Sequence, residues 1–431
     1  MMYRMGQQLL KMEAWLNRRR YFQAIQATLQ LLFPVVLLGA YVDSVNQAVF
    51  QKNGFLNQIY AISQWLPGFS HFARYTTLLS ASLNGLIAVA AAFAVANFVV
   101  RSAQRDYLLA GLTATLSFMM LNFNFGIATK TDQAAGTSFL TTNLGMRGFL
   151  LALLVGLITG ALFNKLTAPS QSIFNERQWL ARVKMNWLPL VLTLGGFSLL
   201  SYGSSLVNKT GVNGLFYLVS QWPFVNPGTV LGAILGVTFL SNSYWLLGLV
   251  GPLDFSGDSS VSTIQNLEYA LQHGSAWGAP NPVTVQTIFD SFANVGGPGM
   301  TLALIIAILW QSRHRRYRQV AKVSWLPSLF NFNQPLLFGL PLILRPILAI
   351  PFLVAPLVTT LITWTALKLQ WMPPVVYPLH RTTPGFLMGW LGTGGDWHAL
   401  LVSGVNLVVA TAIYLPFIWL DNQAVKGGAS R

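Results

Sequence analysis

Long apolar segments recur along this chain of 431 residues and leave few folds open to it. Each comes close to the ~20 residues that an α-helix needs to cross the hydrocarbon core of a bilayer. They lie at about 22–41, 76–100, 107–126, 147–167, 187–207, 228–252, 299–312, 349–372 and 398–420. Since 53% of the residues are hydrophobic and only 9% are charged, the composition also differs from that of a soluble globular domain. The sequence therefore predicts an all-α polytopic membrane protein.

The chain is basic, with 26 Lys and Arg against 11 Asp and Glu. These charges collect in short stretches between the apolar segments, which is typical of cytoplasmic loops of membrane proteins. No basic face with interleaved aromatic residues occurs outside the segments, so nucleic-acid binding is not expected. The chain has no cysteine, which excludes disulfides, thiolate metal sites and a cysteine nucleophile. The histidines show no metal-ligand spacing, and neither a metal nor a cofactor is expected.

The distribution of Lys and Arg predicts that both termini face the cytoplasm. The densest basic cluster, 313–322, should be a cytoplasmic loop, but simple alternation of the nine segments would place it outside. We therefore expect one further crossing within 208–298, about ten transmembrane helices in all. The polar, Gly- and Pro-rich stretches 254–298 and 325–348 are predicted to form two re-entrant or broken-helix hairpins, because such backbone is tolerated only where protein or a wet cavity surrounds it.

Polar, helix-breaking stretches in transporters tend to mark the binding site. The motif "NFNQPLLFG" places Asn331, Asn333 and Gln334 at the predicted tip of the second hairpin, ahead of a proline. These amides could bind a ligand or could cap the backbone of a broken helix. Asp290 precedes the glycine-rich "NVGGPG", and an acid in a membrane segment usually faces a cavity. Trp245 could be a cavity aromatic or an interfacial anchor.

Five passages, in order along the chain, resemble the membrane permease component, enzyme IIC, of the bacterial phosphotransferase system in its lactose, cellobiose and diacetylchitobiose branch. They are "RYFQAIQATLQLLFPVVLLGA" (20–40), "YWLLGLVGP" (244–252), "FDSFANVGGPGMTLAL" (289–304), "NFNQPLLFGLPLILRPILAIPFLVAPLV" (331–358) and "LGTGGDW" (391–397). The likeness covers nearly the whole chain and is weakest at about 42–75 and 168–186. It implies a multi-pass protein of the bacterial inner membrane.

The resemblance also implies that different regions of the chain have different functions. Residues 1–210 would form the subunit interface of a homodimer, 211–420 would bind and translocate a disaccharide-type sugar, and 421–431 would be a cytoplasmic tail. A separate cytoplasmic IIB would donate a phosphoryl group from its phosphocysteine to the bound sugar. The sugar-binding residues that follow from the motifs and the resemblance are Asn331, Asn333, Gln334, Asp290, Asn294, Trp245, Arg381 and Val250. No catalytic residue is assigned.

Three positions depart from the family pattern. Gln334 stands where the family usually has glutamate, Val250 where it has histidine, and Arg381 where it has tryptophan. A neutral amide can hydrogen-bond a sugar but cannot act as a base. Gln334 and Val250 therefore argue against phosphoryl transfer, and Arg381 alters the platform on which a sugar would stack.

Three functions remain open on this basis. The first is a phosphotransferase-type sugar permease, which we take as the principal prediction. The second is a permease-derived sensor that binds sugar without phosphorylating it, and the third is an uncoupled transporter.

Overall fold

The computed structural model describes residues 2–123, 141–169, 179–207, 212, 231–248, 261–342 and 345–428. Within these ranges the secondary structure is helical, and no β-strand element occurs. The helices are α1 (Met2–Asn17), α2 (Arg20–Val45), α3 (Phe55–Tyr60), α4 (Ile62–Trp65), α5 (Phe69–Asn84), α6 (Ile87–Arg101), α7 (Tyr107–Leu121), α8 (Phe149–Leu166), α9 (Trp179–Val207), α10 (Leu231–Leu246), α11 (Val261–His273), α12 (Thr301–Gln311), α13 (Arg315–Leu329), α14 (Gln334–Gly339), α15 (Pro346–Lys368), α16 (Gly385–Gly392) and α17 (Trp397–Gly428). Short π-helical turns cover Asn46–Phe50 and Gln286–Asp290.

Six stretches of the described residues are long and apolar enough to cross a membrane, and three shorter apolar helices accompany them. Together they overlap all nine segments expected from the sequence, so the all-helical membrane class is confirmed, while the count of about ten crossings stays a prediction. The segment predicted at 76–100 is two helices, α5 and α6, which meet at Gly85 and Leu86. The helix predicted from 187 begins at Trp179.

In the N-terminal half, α6 packs against α2, α7 and α8. The inner face of α6 carries Ala88, Ala92 and Val95, which have no exposed surface. Facing it, Gly156 and Gly160 of α8 lie so close that an added Cβ at Gly160 would be 2.8 Å from Val99 Cγ1. Small residues at four-residue spacing let membrane helices approach closely, and this contact fixes the α6–α8 pair.

In the C-terminal half, α17 packs against α12, α15 and α16. The glycine-rich turn before α12 lies inside this packing: Tyr414 on α17 donates a 2.5 Å hydrogen bond to the carbonyl of Gly299. On the other side of the turn, the Gly299 N–H donates to Asn242 Oδ1 on α10 at 2.6 Å. The turn is thereby held between α10 and α17.

The second predicted hairpin, 325–348, comprises the end of α13, α14 and the start of α15. Arg345, just after α14, donates to the hydroxyl of Tyr317 in the first turns of α13, so the chain enters and returns to the same place. The basic stretch 313–322, expected as a loop, is mostly the beginning of α13. Arg, Lys and Gln are good helix formers, and the charge pattern alone does not distinguish an irregular connection from a helical one. That this stretch faces the cytoplasm stays a prediction.

The first predicted hairpin, 254–298, lies only partly within the described residues, which begin again at 261. From there the chain forms α11, a loop, the π-helical turn Gln286–Asp290 and the glycine-rich turn. The Asn266 side chain exchanges two hydrogen bonds with the backbone of Asn281, at 2.7 and 2.9 Å, and so ties α11 to this loop.

A buried ion cluster joins distant parts of the chain. Arg345 is 7% exposed and pairs with Glu13 of α1, at 2.8 Å, and with Asp421 of α17. His314 lies 3.4 Å from the second carboxylate oxygen of Asp421. The N-terminal helix, the start of α13, the start of α15 and the end of α17 therefore lie together on one face of the molecule.

Candidate functional site

A cavity of about 420 Å³ lies between the two halves of the chain. Its polar lining comes from α2, α5, the turn before α8, the π-helical turn, the hairpin tip and the loop before α16. The residues are Val36, Ala40, Asp43, Gln47, Asn84, Ile87, Met146, Arg147, Trp245, Gln286, Asp290, Ser291, Asn294, Pro298, Phe330, Asn331, Phe332, Asn333, Gln334, Val375, Tyr377, Leu379, Arg381 and Met388. Such a volume and such a mixture of aromatic and polar groups are typical of small-molecule sites.

The structure brings seven of the eight predicted site residues to this cavity. They are Trp245, Asp290, Asn294, Asn331, Asn333, Gln334 and Arg381. Val250 lies outside the described residues. Trp245 is only 4% exposed, so it is a cavity aromatic here and not an interfacial anchor.

Asn331 connects three of the loops around the cavity. Its Oδ1 accepts from the Gly296 N–H at 3.1 Å, and its Nδ2 donates to the carbonyls of Arg381, at 2.8 Å, and Thr383, at 2.9 Å. Both amide hydrogens are therefore used by the backbone. Of the two roles considered from the sequence, Asn331 fits the structural one, because it positions the loops that carry other cavity residues.

Asn333 and Gln334 have different surroundings from Asn331. Asn333 is 1% exposed and donates from Nδ2 to the Pro298 carbonyl at 3.3 Å, while its Oδ1 has no hydrogen-bond partner among the described residues. Gln334 Oε1 is also buried and unpartnered there. Gly297 makes the close approach possible, since its φ is +98° and an added Cβ would lie 3.0 Å from Asn333 Cβ.

Two further amide side chains of the cavity have buried oxygens without a hydrogen-bond partner. The side-chain oxygens of Gln286 and Asn294 are buried without a partner in the described part of the chain. A buried acceptor without a donor costs about 1–3 kcal/mol, so native structures rarely leave one unsatisfied. Four residues that line one cavity carry such oxygens, and a ligand with its own hydrogen-bond donors would satisfy them once the amide side chains turn toward it.

The sequence-based site omits the wall that the N-terminal half contributes. The cavity is lined by Asp43 of α2, Gln47 of the π-helical turn that follows it, Asn84 of α5 and Arg147, although 1–210 was expected to serve as a subunit interface. Asp43 accepts hydrogen bonds from Ser80 Oγ and from Asn84 Nδ2, the latter at 2.7 Å. The available signal was Asp43 itself, because an acid in an apolar helix is rare and usually faces a cavity.

The loop before α16 contacts the N-terminal half through His380. The Thr382 N–H can only donate, and it lies 3.3 Å from His380 Nδ1, so that nitrogen accepts and the hydrogen sits on Nε2. Nε2 then donates to Gln51 Oε1 at 3.0 Å. The neutral ring is favoured: burial lowers the pKa of His380, and the charge of Arg381 lowers it further.

Other acids lie away from the cavity. Asp396 accepts from Trp277 Nε1 at 3.0 Å and from the N–H of His398 at 2.8 Å, at the start of α17. Burial opposes its charged form, but the hydrogen bonds from His398 and Trp277 and the charge of His398 together outweigh that effect, and the pKa of Asp396 is below its ordinary value. Glu268 is exposed on α11. Within the described ranges no group of three His, Cys, Asp or Glu side chains could hold a metal ion.

The fold and the cavity define a polytopic membrane protein with a polar site between its two halves. Residues 28–356 match the family model described as "Phosphotransferase system, EIIC", and the chain belongs to this family of sugar-transporting membrane components.

Relatives extend the match along the chain. The oligo-β-mannoside-specific EIIC component of Bacillus subtilis (strain 168) is 26% identical over 426 residues, covering 97% of this chain and 93% of that protein. The lactose-specific EIICB component of Lactococcus lactis subsp. lactis is 25% identical over 348 residues, covering 79% of this chain and 60% of that protein. The crystal structure of ChbC, the IIC component of an N,N'-diacetylchitobiose-specific phosphotransferase system, covers 95% of each chain with a TM-score of 0.43 and 21% identity.

The predicted family is thereby confirmed. The predicted function, a sugar permease component of a phosphotransferase system that works with a IIB component, is confirmed with it. The sensor hypothesis receives no support, because these relatives are permease components.

Proposed function

We propose that this protein binds a disaccharide-type sugar in the cavity between its halves and carries it across the bacterial inner membrane for phosphorylation by IIB. The observation that carries the assignment is the set of four unpartnered amide oxygens on Gln286, Asn294, Asn333 and Gln334. Sugar hydroxyls would supply the missing donors. Trp245 also lines this cavity, and an aromatic side chain suits the apolar C–H face of a pyranose.

Relatives that act on oligo-β-mannosides, cellobiose and lactose favour a sugar of two or more linked units. Arg381 is exposed at the loop beside the cavity and adds a positive charge there. A guanidinium donates hydrogen bonds in a plane and prefers an anionic or planar acceptor. It therefore suits a sugar that carries a carbonyl, carboxylate or amide substituent.

We propose that both termini face the cytoplasm. The ion cluster supports this arrangement, since Glu13, Arg345 and Asp421 place α1 and the end of α17 beside the basic start of α13. Lys and Arg near span ends favour the cytoplasmic side. This face of the protein would then meet the phosphorylated IIB.

Binding is tested with the purified protein and a panel of radiolabelled disaccharides, and Asn333→Ala is the informative variant. Removing the amide leaves a sugar hydroxyl without its acceptor in the complex, so we expect a loss of about 1–3 kcal/mol in binding, or roughly 5- to 150-fold. Asn53→Ala, an exposed amide away from the cavity, should leave affinity unchanged. Unchanged affinity for Asn333→Ala combined with Asp290→Asn would place the sugar elsewhere.

We further propose that the N-terminal half forms a homodimer through α9. This helix exposes Leu199 (73%) and Leu206 (72%), and Gly195 and Gly203 have no atom within 4 Å of an added Cβ. Small residues among large apolar ones are typical of helix-packing faces in membranes.

Leu199→Cys tests the dimer in a chain that has no other cysteine. Membranes treated with a mild oxidant should yield a covalent dimer. Val408→Cys, equally apolar and 68% exposed on α17, is the control and should stay monomeric. Dimer formation by position 408 but not by position 199 would contradict the assignment to α9.

A further inference from the structure

A second cavity, a groove of about 1080 Å³, lies between the ends of α12 and α17 and the beginning of α13. It shares no lining residue with the cavity between the two halves of the chain. Aromatic, amide, hydroxyl and arginine side chains line it, and no carboxylate is among them. The residues are Trp310, Gln311, Ser312, Arg313, Arg318, Leu415, Trp419, Asn422 and Gln423.

The groove lies where two apolar helical stretches end. The apolar helix α12 stops at Gln311, and the apolar stretch of α17 extends to Gln423. Asn422 holds the two ends at one level, because its Nδ2 donates to the Gln311 carbonyl at 2.9 Å. Helices that enter a bilayer leave its hydrocarbon core where their apolar residues end. The groove is therefore placed at the boundary between the lipid chains and the head groups.

The two arginines of the groove carry positive charges that no acid of the groove balances. Arg313 and Arg318 are exposed, and neither forms an ion pair within the described part of the chain. The acid beside this end of α17, Asp421, is paired with Arg345 and lines a different cavity. Both groove arginines are thus available to an anion.

The backbone that carries Arg313 is held by α17. Its N–H donates to Asn422 Oδ1 at 2.8 Å, and the same side chain binds the Gln311 carbonyl. Between them, Ser312 is buried. The connection from α12 to α13 is therefore fixed before a ligand arrives, so the ordering of the arginine side chain is the main entropic cost of binding there.

Two tryptophans form the apolar wall of the groove. Trp310 and Trp419 are both exposed, so neither ring is fully covered by the protein core. They lie one and four residues before Gln311 and Gln423, on the hydrocarbon side of the two helix ends. Tryptophan is enriched at this depth, where its ring contacts lipid chains and its N–H reaches the head groups. The groove thus combines an aromatic wall with two cations just beyond it.

We propose that this groove binds an anionic phospholipid, with its phosphodiester held by Arg313 and Arg318 and its acyl chains against Trp310 and Trp419. A guanidinium donates two parallel hydrogen bonds to phosphate oxygens, and basic pockets between membrane helices suit anionic head groups. A zwitterionic lipid has the same phosphate but brings a cation close to the arginines, so it binds more weakly. Lipid binding here is independent of the sugar and of IIB.

Native mass spectrometry of the delipidated full-length protein, titrated with phosphatidylglycerol in neutral detergent, measures the affinity. We expect a saturable site that binds phosphatidylcholine at least about fivefold more weakly. Arg313→Gln combined with Arg318→Gln should weaken phosphatidylglycerol binding by about 30-fold, at about fivefold for each arginine near an anionic membrane surface. Arg315→Gln combined with Arg316→Gln is the matched control, because it removes the same charge from exposed residues of α13 that do not line the groove. Its affinity should be unchanged.

The aromatic wall is tested separately. Trp310→Ala should weaken phosphatidylglycerol binding by at least about threefold, because the acyl chains lose apolar surface that they would cover. Trp371→Ala, at an exposed tryptophan outside the groove, should have no effect. Inorganic phosphate and glycerol 3-phosphate, which lack acyl chains, should not displace the lipid even in excess.

Equal losses in the two double arginine variants would overturn the site, since they would show a general attraction of lipid to the basic beginning of α13. Equal affinities for phosphatidylglycerol and phosphatidylcholine would overturn the preference for an anionic lipid. Displacement by inorganic phosphate would reassign the groove to a small anion. Unfolding temperatures equal to that of the unmodified protein verify that each variant is folded, as expected for substitutions of exposed side chains.

Discussion

Asn331 and Asn333 are two positions apart in one motif, yet their amides have different partners. Asn331 donates both amide hydrogens to backbone carbonyls and accepts a backbone N–H with its oxygen, whereas Asn333 Oδ1 has no partner among the described residues. The sequence predicts that polar groups gather at this tip but not which of them is committed to the backbone. That choice depends on loops some 35 to 52 positions away in the chain.

His380 gives the site a dependence on pH. It lies in the loop before α16, outside the long apolar helices, and its pKa is lowered by burial and by Arg381. The folded state therefore favours the neutral ring. Its contribution to stability is complete above the ordinary value of 6.5 and is lost as the pH falls through the lower folded value.

We expect His380→Gln to reduce the loss of thermal stability between pH 7.5 and pH 5, because glutamine does not titrate in this range. Unfolding temperatures of the purified protein at the two pH values measure the effect. His71→Gln, an exposed histidine on α5, should show the same loss as the unmodified protein. An equal loss for His380→Gln and the unmodified protein would rule out this contribution.

At the scale of helices, the sequence predicted most clearly which segments are long and apolar enough to cross a membrane. Six long helical stretches in the described part of the chain meet this criterion. The breaks were harder to predict. The joint between α5 and α6 and the helical start of α13 depend on contacts, since Ala88 N–H bonds to the carbonyl of Leu144 and Arg345 bonds to Tyr317. Local propensity is a weak guide where such tertiary contacts compete.

Gly160 tests the packing of α6 against α8. Gly160→Ala places a Cβ 2.8 Å from Val99 Cγ1, and overpacking of this kind costs about 1–3 kcal/mol. We expect a corresponding loss in the free energy of unfolding, measured by denaturant titration in detergent. Gly236→Ala on α10 is the matched control, because nothing lies within 4 Å of its added Cβ. Equal stability of the two variants would show that the helices adjust without cost.

At the scale of the whole molecule, the ion cluster places the two ends of the chain and the start of α13 on one face. This arrangement is consistent with the additional crossing that the positive-inside pattern predicts within 208–298, and that crossing stays a prediction. The side of the membrane on which this face lies can be tested by labelling single cysteines. Ser312, at the edge of the basic cluster, is only 5% exposed and is unsuitable for this purpose. Gln319, exposed on α13, is a better position.

Gln8→Cys and Gln319→Cys should be labelled by a membrane-impermeant maleimide only from the cytoplasmic side. Asn53→Cys, beyond the far end of α2, should be labelled from outside, because α2 crosses the membrane once between positions 8 and 53. Intact cells and inverted vesicles provide the two orientations, and the natural absence of cysteine removes background. Labelling of position 319 in intact cells would contradict the proposed orientation and indicate the opposite one.

The sequence by itself determined the membrane class, the family and most of the C-terminal wall of the cavity. It did so because spans must be long and apolar, and because polar residues in such a context are rare enough to stand out. Only the tertiary structure decided that α2 closes the cavity with Asp43, that Asn331 is a structural tie, and that Arg345 joins the chain ends. Each of these depends on pairing groups far apart in sequence, and neither local periodicity nor charge pattern encodes which distant partner a buried polar group will find.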